Sequence, residues 1–238
     1  MFCGKMKALT FSYDDGVTQD AHLIEIFNKY GLKATFNLNS GFLGGKGTLV
    51  RDGVTVHHNK VSKEDVRHMY VGHEIAAHTL THPFLPNMTD EREIIRQVEE
   101  DRLALSELAG YEVVGFAYPG GGINHSKRVA DIIRQSTGVK YCRTTDSSHH
   151  FEPQTDLFEF QPTVYHHVEM DKMFRLGERF LAMKADRPQI FYIWGHAYEF
   201  DIRNEWGRFE DFCKMMAGAD DVFYGTNAQI LLADKNEH

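Results

Sequence analysis

Lys7-Ala8-Leu9-Thr10-Phe11-Ser12-Tyr13-Asp14-Asp15-Gly16 is the stretch on which the reading of this chain turns. Lys7–Tyr13 has the length and the apolar, aromatic content of a strand, and it ends abruptly in two carboxylates and a glycine. Asp20–Tyr30 then carries a helical pattern closed by Gly31 at its C′ position, and Lys33–Asn39 reads as a second strand. Outward from this unit the alternation continues. Gly41–Gly53 reads as a surface loop or hairpin, Ser62–Tyr70 as a short helix capped by Ser62, and His73–His78 as a strand. Asp90–Ala109 is the clearest helix. Asp90 caps it, Glu93 is expected to complete a capping box, Ile94, Ile95, Val98, Leu105 and Leu108 recur at helical spacing, and Gly110 ends it. Val113–Tyr118 (strand), Ser126–Gln135 (helix) and Lys140–Thr144 (strand) follow. After a polar, irregular Asp146–Asp156 come an extended Leu157–Val164, a helix over Asp171–Ala185 and a strand over Gln189–Trp194. Glu205–Ala217 and Asn227–Ala233 read as helices around a short strand, Asp221–Tyr224. Strand alternating with helix implies a parallel sheet with crossover helices: an α/β fold, barrel-like rather than openly doubly wound. No repeat or linker divides residues 1–238, so one domain is expected.

Composition narrows the function. An apolar fraction of 42% is enough for a packed core. The net charge of −8 disfavours a nucleic-acid partner and docking on anionic membranes. There is no run of about 18 apolar residues that would span a bilayer. Met1-Phe2-Cys3-Gly4-Lys5 lacks the apolar core of a signal peptide. The three cysteines, Cys3, Cys142 and Cys213, are widely spaced and odd in number, so a cytoplasmic protein with reduced thiols is expected. No GxGxxG or P-loop follows the first strand. The sequence sets no oligomeric state.

Four groups at the C-terminal ends of expected strands can do chemistry, and in a parallel barrel those ends converge on one face. In Asp14-Asp15-Gly16, one carboxylate can bind a metal while the other stays free as a base, although Asp and Gly also make ordinary turns. In His78-Thr79-Leu80-Thr81-His82-Pro83, two histidines four apart can meet one ion, and Pro83 makes this a turn rather than a helix. The backbone N–H groups of Phe116-Ala117-Tyr118-Pro119-Gly120-Gly121-Gly122 can stabilise an oxyanion or merely form a tight turn. His196, in Ile193-Trp194-Gly195-His196, can act as a general acid or simply pack.

Together and in this order, these pieces resemble the polysaccharide deacetylase family, also called the NodB-homology or carbohydrate esterase 4 family. Thr10-Phe11-Ser12-Tyr13-Asp14-Asp15-Gly16 stands where the family opens with T-F-D-D-G and keeps its Asp-Asp-Gly, and His78–Pro83 matches H-[ST]-x-x-H-P in full. Ala117-Tyr118-Pro119-Gly120 stands where R-x-P-Y is usual. Trp194-Gly195-His196 keeps only the His of L-x-H. The resemblance implies a distorted, incomplete (β/α) barrel of about seven strands. It implies a divalent metal, usually zinc, on Asp15, His78 and His82, with Asp14 as base, the Gly120 N–H as oxyanion donor and His196 as acid. The activity implied is removal of an N-acetyl group from a sugar. Two alternatives keep the fold: hydrolysis of a non-sugar amide or cyclic ureide, and non-catalytic carbohydrate binding.

Because the third-motif Arg is missing, Arg143 is a candidate to orient the base, with a surface or salt-bridged Arg as the plain alternative. Asp156, Glu199 and Asp201 are candidates to tune His196. Trp194 and Trp206 are each read as stacking on a sugar ring or packing. His149-His150 and His166-His167 are read as solvated loop.

Overall fold

β1 (Lys7–Asp14) is buried along its whole length, and its two faces are chemically different. Leu9, Phe11 and Tyr13 belong to the main hydrophobic core, where Phe11 packs on Phe27 at 4.7 Å and on Phe209 at 6.1 Å. Thr10, Ser12 and Asp14 point the other way, because successive side chains of a strand alternate. They form a polar column in which Thr10 Oγ1 donates to Asn227 Oδ1 at 2.8 Å and Asn37 Nδ2 bridges Ser12 Oγ and Asp14 Oδ1, each at 2.8 Å. The strand therefore delivers Asp14 into the interior of the sheet.

The computed structural model describes residues 2–233. After β1 come α1 (Asp20–Lys29), β2 (Ala34–Leu38), a hairpin of β3 (Thr48–Arg51) and β4 (Val54–His57), and α2 (Lys63–Met69). β5 (Glu74–Ala77), α3 (Glu91–Ala109), β6 (Gly115–Ala117), α4 (Lys127–Ser136) and β7 (Tyr141–Arg143) follow. The rest is β8 (Val164–Tyr165), α5 (His166–Ala182), β9 (Gln189–Gly195), α6 (Glu199–Arg203), α7 (Trp206–Met216), β10 (Val222–Tyr224) and α8 (Asn227–Leu231).

The main sheet runs β7-β6-β5-β2-β1-β9-β8, all parallel. β10 lies off this path: it pairs with Lys7–Leu9 of β1, while β2 pairs with Phe11–Asp14. One segment links the two edges. Residues 157–160 run beside β7, where Phe160 bridges Arg143, and Val164–Tyr165 then pair with Ile193–Trp194 of β9. The result is a distorted, incomplete (β/α) barrel. Where the polar column reaches the opposite end of the interior, a small apolar cluster of Phe2, Ala8, Phe160, Ile190, Tyr192 and Ile230 closes it.

Helix starts follow local chemistry. Ser62, Ser126 and Thr226 each accept a backbone N–H three residues on. Asp90 caps α3 through the Arg92 N–H, but the expected box does not form, because the Glu93 carboxylate is taken by Arg96 at 2.6 and 2.7 Å. The chain also departs from expectation around β8 and α5. The extended segment contributes only two residues to the sheet, and α5 begins at His166, five residues before Asp171. The short α6 is an addition. No helix among the described residues is long and apolar enough to cross a membrane.

Candidate active site

The C-terminal ends of the parallel strands open into a cleft of about 1130 Å³ that Asp14, Asp15, His78, His82, Gly120, Trp194 and His196 all line. Ligand atoms of Asp15, His78 and His82 lie within 4.8 Å of one another, with His82 Nε2 3.9 Å from Asp15 Oδ1. A tetrahedral zinc shell places its ligand atoms about 3.4 Å apart, so a small inward movement closes this set on one ion. The donor chemistry also fits. His78 Nδ1 donates to the Ala117 carbonyl at 2.8 Å, which leaves the Nε2 lone pair facing the cleft. Burial pushes the His78 pKa down to about 4, against the pull of Asp14 and Asp15, so the ring is neutral.

The turn that presents these histidines is built from below. Asp101, fully buried on α3, accepts the Ser40 N–H at 2.7 Å and the His78 N–H at 2.9 Å. Gln97 accepts from Thr81 N at 3.1 Å, and Asn39 Nδ2 donates to the carbonyls of His78 and Thr79 at 2.6 and 2.9 Å. Gly41 is required here, because a Cβ would lie 2.4 Å from the Leu80 carbonyl oxygen. Thr79 and His82 have positive φ (70° and 54°), a conformation that costs non-glycine residues and that these contacts hold, while Asp15, at 82°, is held by Lys60 on its carbonyl.

Arg143 is fully buried, and its Nη2 lies 2.5 Å from both oxygens of Asp14. Burial alone would raise the Asp14 pKa. The charge of the Arg143 guanidinium outweighs it and holds the carboxyl below its ordinary value. Asp15 is held well below the carboxylate range, against its burial, by a hydrogen bond from His58 and the charge of Lys60.

Of the three acidic candidates beside His196, the structure brings in Glu199. Asp156 pairs with Arg134, and Asp201 accepts from Gln19 and Trp206. Glu199 is 0% exposed. It accepts the His196 N–H at 2.9 Å and lies 3.0 Å from His196 Nδ1, a charge contact without hydrogen-bond alignment. Arg51 Nη1 (2.5 Å) and the Tyr165 hydroxyl also donate to it. Burial disfavours the His196 cation, but Glu199, Asp15 and Asp14 more than offset this and raise its pKa.

Two expectations are corrected. His166 and His167 are not solvated: both are buried at the start of α5, with His166 stacked on Phe200 at 4.3 Å and 3.2 Å from Glu199. Trp194 lines the cleft but offers no face to a sugar ring. It stacks on Tyr165 at 4.2 Å, carries the Arg143 guanidinium 4.6 Å from its centroid, and is 5% exposed. Trp206 packs on Phe200 and His22, away from the cleft. His149 pairs with Glu169 in a partly exposed setting, and His150 with Glu152. His58, Lys60, Asp101 and Arg51 are additions that the motifs do not flag.

The family model described as polysaccharide deacetylase matches residues 3–141, more than half of the chain. The chain belongs to the polysaccharide deacetylase family. Solved deacetylase-family structures share its fold. The T48 deacetylase with substrate is 15% identical over 98% of this chain and 94% of that one, with a TM-score of 0.60. BA3943 of Bacillus anthracis, a CE4 family pseudoenzyme, is 16% identical over 95% and 66%, with a TM-score of 0.56. The Streptococcus pyogenes deacetylase PplD, solved with acetate, is 19% identical over 63% and 61%, with a TM-score of 0.51. The chain thus spans less than two thirds of the length of PplD and of BA3943. Among curated proteins, nothing matches.

Proposed function

We propose that this chain is a metal-dependent deacetylase that removes an acetyl or similar acyl group from the nitrogen of a sugar. One observation carries the reading: a braced carboxylate, Asp14 with Arg143, and an imidazole in charge contact with a buried carboxylate, His196 with Glu199, line the same cleft as the Asp15–His78–His82 set. An amide has a poor leaving group, so its hydrolysis needs both an activated nucleophile and a proton donor. Asp15, His78 and His82 would hold a divalent ion, zinc by the character of the donors, which would supply Lewis-acid chemistry there, polarising the acyl carbonyl and acidifying a water.

The chain's own residues do the rest. Asp14, ionised at neutral pH, takes the proton of the attacking water. Oδ2 suits this better than Oδ1, which also accepts from Asn37. The Gly120 N–H, on a cleft-lining loop braced by Asn124, is the donor assigned to the developing oxyanion. His196, whose pKa Glu199 helps to raise against its burial, delivers a proton to the departing nitrogen. The three free cysteines suit a reducing cytoplasm and a soluble substrate, which cell fractionation checks.

The function test is metal analysis followed by acetate release from chito-oligosaccharides and from small N-acyl amides without a sugar. Zinc-dependent release from the sugars is expected. Release only from the non-sugar amides would move the substrate class. A zinc-loaded protein that hydrolyses neither would make it a non-catalytic sugar binder.

A further inference from the structure

Residues 41–61 form an arm over the cleft, built on the β3–β4 hairpin, and its return strand is stitched to the Asp14-Asp15-Gly16 turn. Thr18 N donates to Asn59 O at 2.8 Å, Val61 N donates to Gly16 O at 2.9 Å, and Val17 and Lys60 form an antiparallel bridge. This pairing sets two side chains against Asp15. Lys60 Nζ donates to the Asp15 carbonyl at 2.8 Å, steadying a residue held at φ 82°, and lies 3.6 Å from Asp15 Oδ1, too far for a hydrogen bond that would occupy that oxygen. His58 Nε2 lies 3.1 Å from Asp15 Oδ2, the oxygen opposite the one that faces His82. A carboxylate only accepts, so His58 carries its proton on Nε2. His58 also meets the Tyr198 ring edge-on at 5.1 Å, which fixes the imidazole plane.

We propose that His58 is a positioning residue of the metal site: it holds the Asp15 carboxylate so that Oδ1 alone is presented to a divalent cation, and thereby sets the cation's affinity. This rests on the metal-site reading above. An unheld carboxylate must lose rotamer freedom when it binds an ion, and it can swing toward two-oxygen ligation. One whose second oxygen is already engaged does neither. The arm thus acts as the outer part of the site, and it reaches the acid side as well, through Arg51 on Glu199.

The test uses the full chain and zinc, titrated against a chromophoric chelator, with melting of the metal-free protein as the control for folding. His58→Gln places an amide N–H near the position of Nε2. His58→Asn is equally polar but stops short of Asp15. We expect His58→Asn to weaken zinc binding by about 10–100-fold and His58→Gln to stay within about threefold of the parent. A merely structural role would not separate the two variants. If His58→Asn binds within about threefold of the parent, this inference is overturned while the metal site stands. If the parent binds no zinc, or Asp15→Asn binds it equally well, the metal-site reading fails and takes this inference with it. Should His58→Asn melt lower without metal, the His58→Gln titration decides, and a loss of about tenfold or more there overturns the role.

Discussion

Replacing Arg143 with Met should be among the most damaging single changes in this protein. The guanidinium is fully buried and the Asp14 side chain is 3% exposed, so neither charge has water to fall back on. Removing one partner leaves the other desolvated and uncompensated, a loss of about 3–5 kcal/mol. The contact over Trp194 and the Nη1 bond to the Thr144 carbonyl (3.1 Å) go too. A domain's whole stability is typically about 5–15 kcal/mol, so the variant should lose a large fraction of it. The assay is urea unfolding at pH 7 in EDTA, which keeps metal linkage out of the comparison. With an m-value on the order of 3 kcal/mol per molar, the midpoint should fall by more than ~1 M. Asp14→Asn in the Arg143→Met background removes the stranded charge and should recover at least ~2 kcal/mol. The pH dependence has a definite sign. In the parent, the Asp14 pKa is depressed, so the pair's contribution is present above the unfolded carboxylate pKa and is lost on acidification through the folded value. In the variant, burial raises that pKa, so the gap between the two proteins should narrow from pH 7 toward pH 4. A loss below ~1 kcal/mol at pH 7, or a double variant no more stable than Arg143→Met, would refute the reasoning.

Two further outcomes are expected. His196→Ala should lower amide hydrolysis by at least ~10²-fold while an activated acetyl ester, whose leaving group needs the proton less, falls much less; equal losses would remove His196 as the acid. Asp20 is buried, with Oδ2 accepting from Tyr70 at 2.8 Å and Oδ1 unpartnered, and burial pushes its pKa to about 8. The folded state therefore holds a proton that the unfolded chain has released, and metal-free stability should decline from about pH 4 to about pH 8 by up to ~1.4 kcal/mol per unit through this group. Asp20→Asn should flatten that decline in urea titrations at pH 5, 6, 7 and 8; parallel curves would show that Asp20 titrates normally.

Much of the site could be read from the chain because its parts sit at strand ends, where sequence position and spatial position coincide. β1 is the clearest case: it ends in the carboxylate pair, and the parallel sheet brings the ends of β5, β6, β7 and β9 to the same place. Arg143 was reachable for the same reason, although nothing in Tyr141-Cys142-Arg143-Thr144 distinguishes a buried pair from a surface one. Other members were hidden by tertiary context. Asp101 falls on the apolar stripe of α3 with Ile94, Val98 and Leu105, and an acid at a core position was the available signal. His58 and Arg51 act across the fold from an arm whose Gly-rich first half says only that it turns. His166 and His167 look polar, yet they are buried at a strand-to-helix junction that α6 covers. A five-residue helix such as α6 carries too little periodicity to read.

β1 shares one edge between two neighbours, β2 along its C-terminal half and β10 along its N-terminal half, and this gives synthesis a direction that matters. At about 5–20 residues per second, β10 leaves the ribosome roughly 10–40 s after β1 does. Through that interval the N-terminal half of this edge stays open, the other edge stays open until β9 is made, and Thr10 waits for Asn227, 217 residues downstream. Of the strands in this sheet, β1, which delivers the Asp14 carboxylate, is thus the first to be made and among the last to be fully paired. A growing chain must keep that open edge from finding a foreign strand until its own arrives.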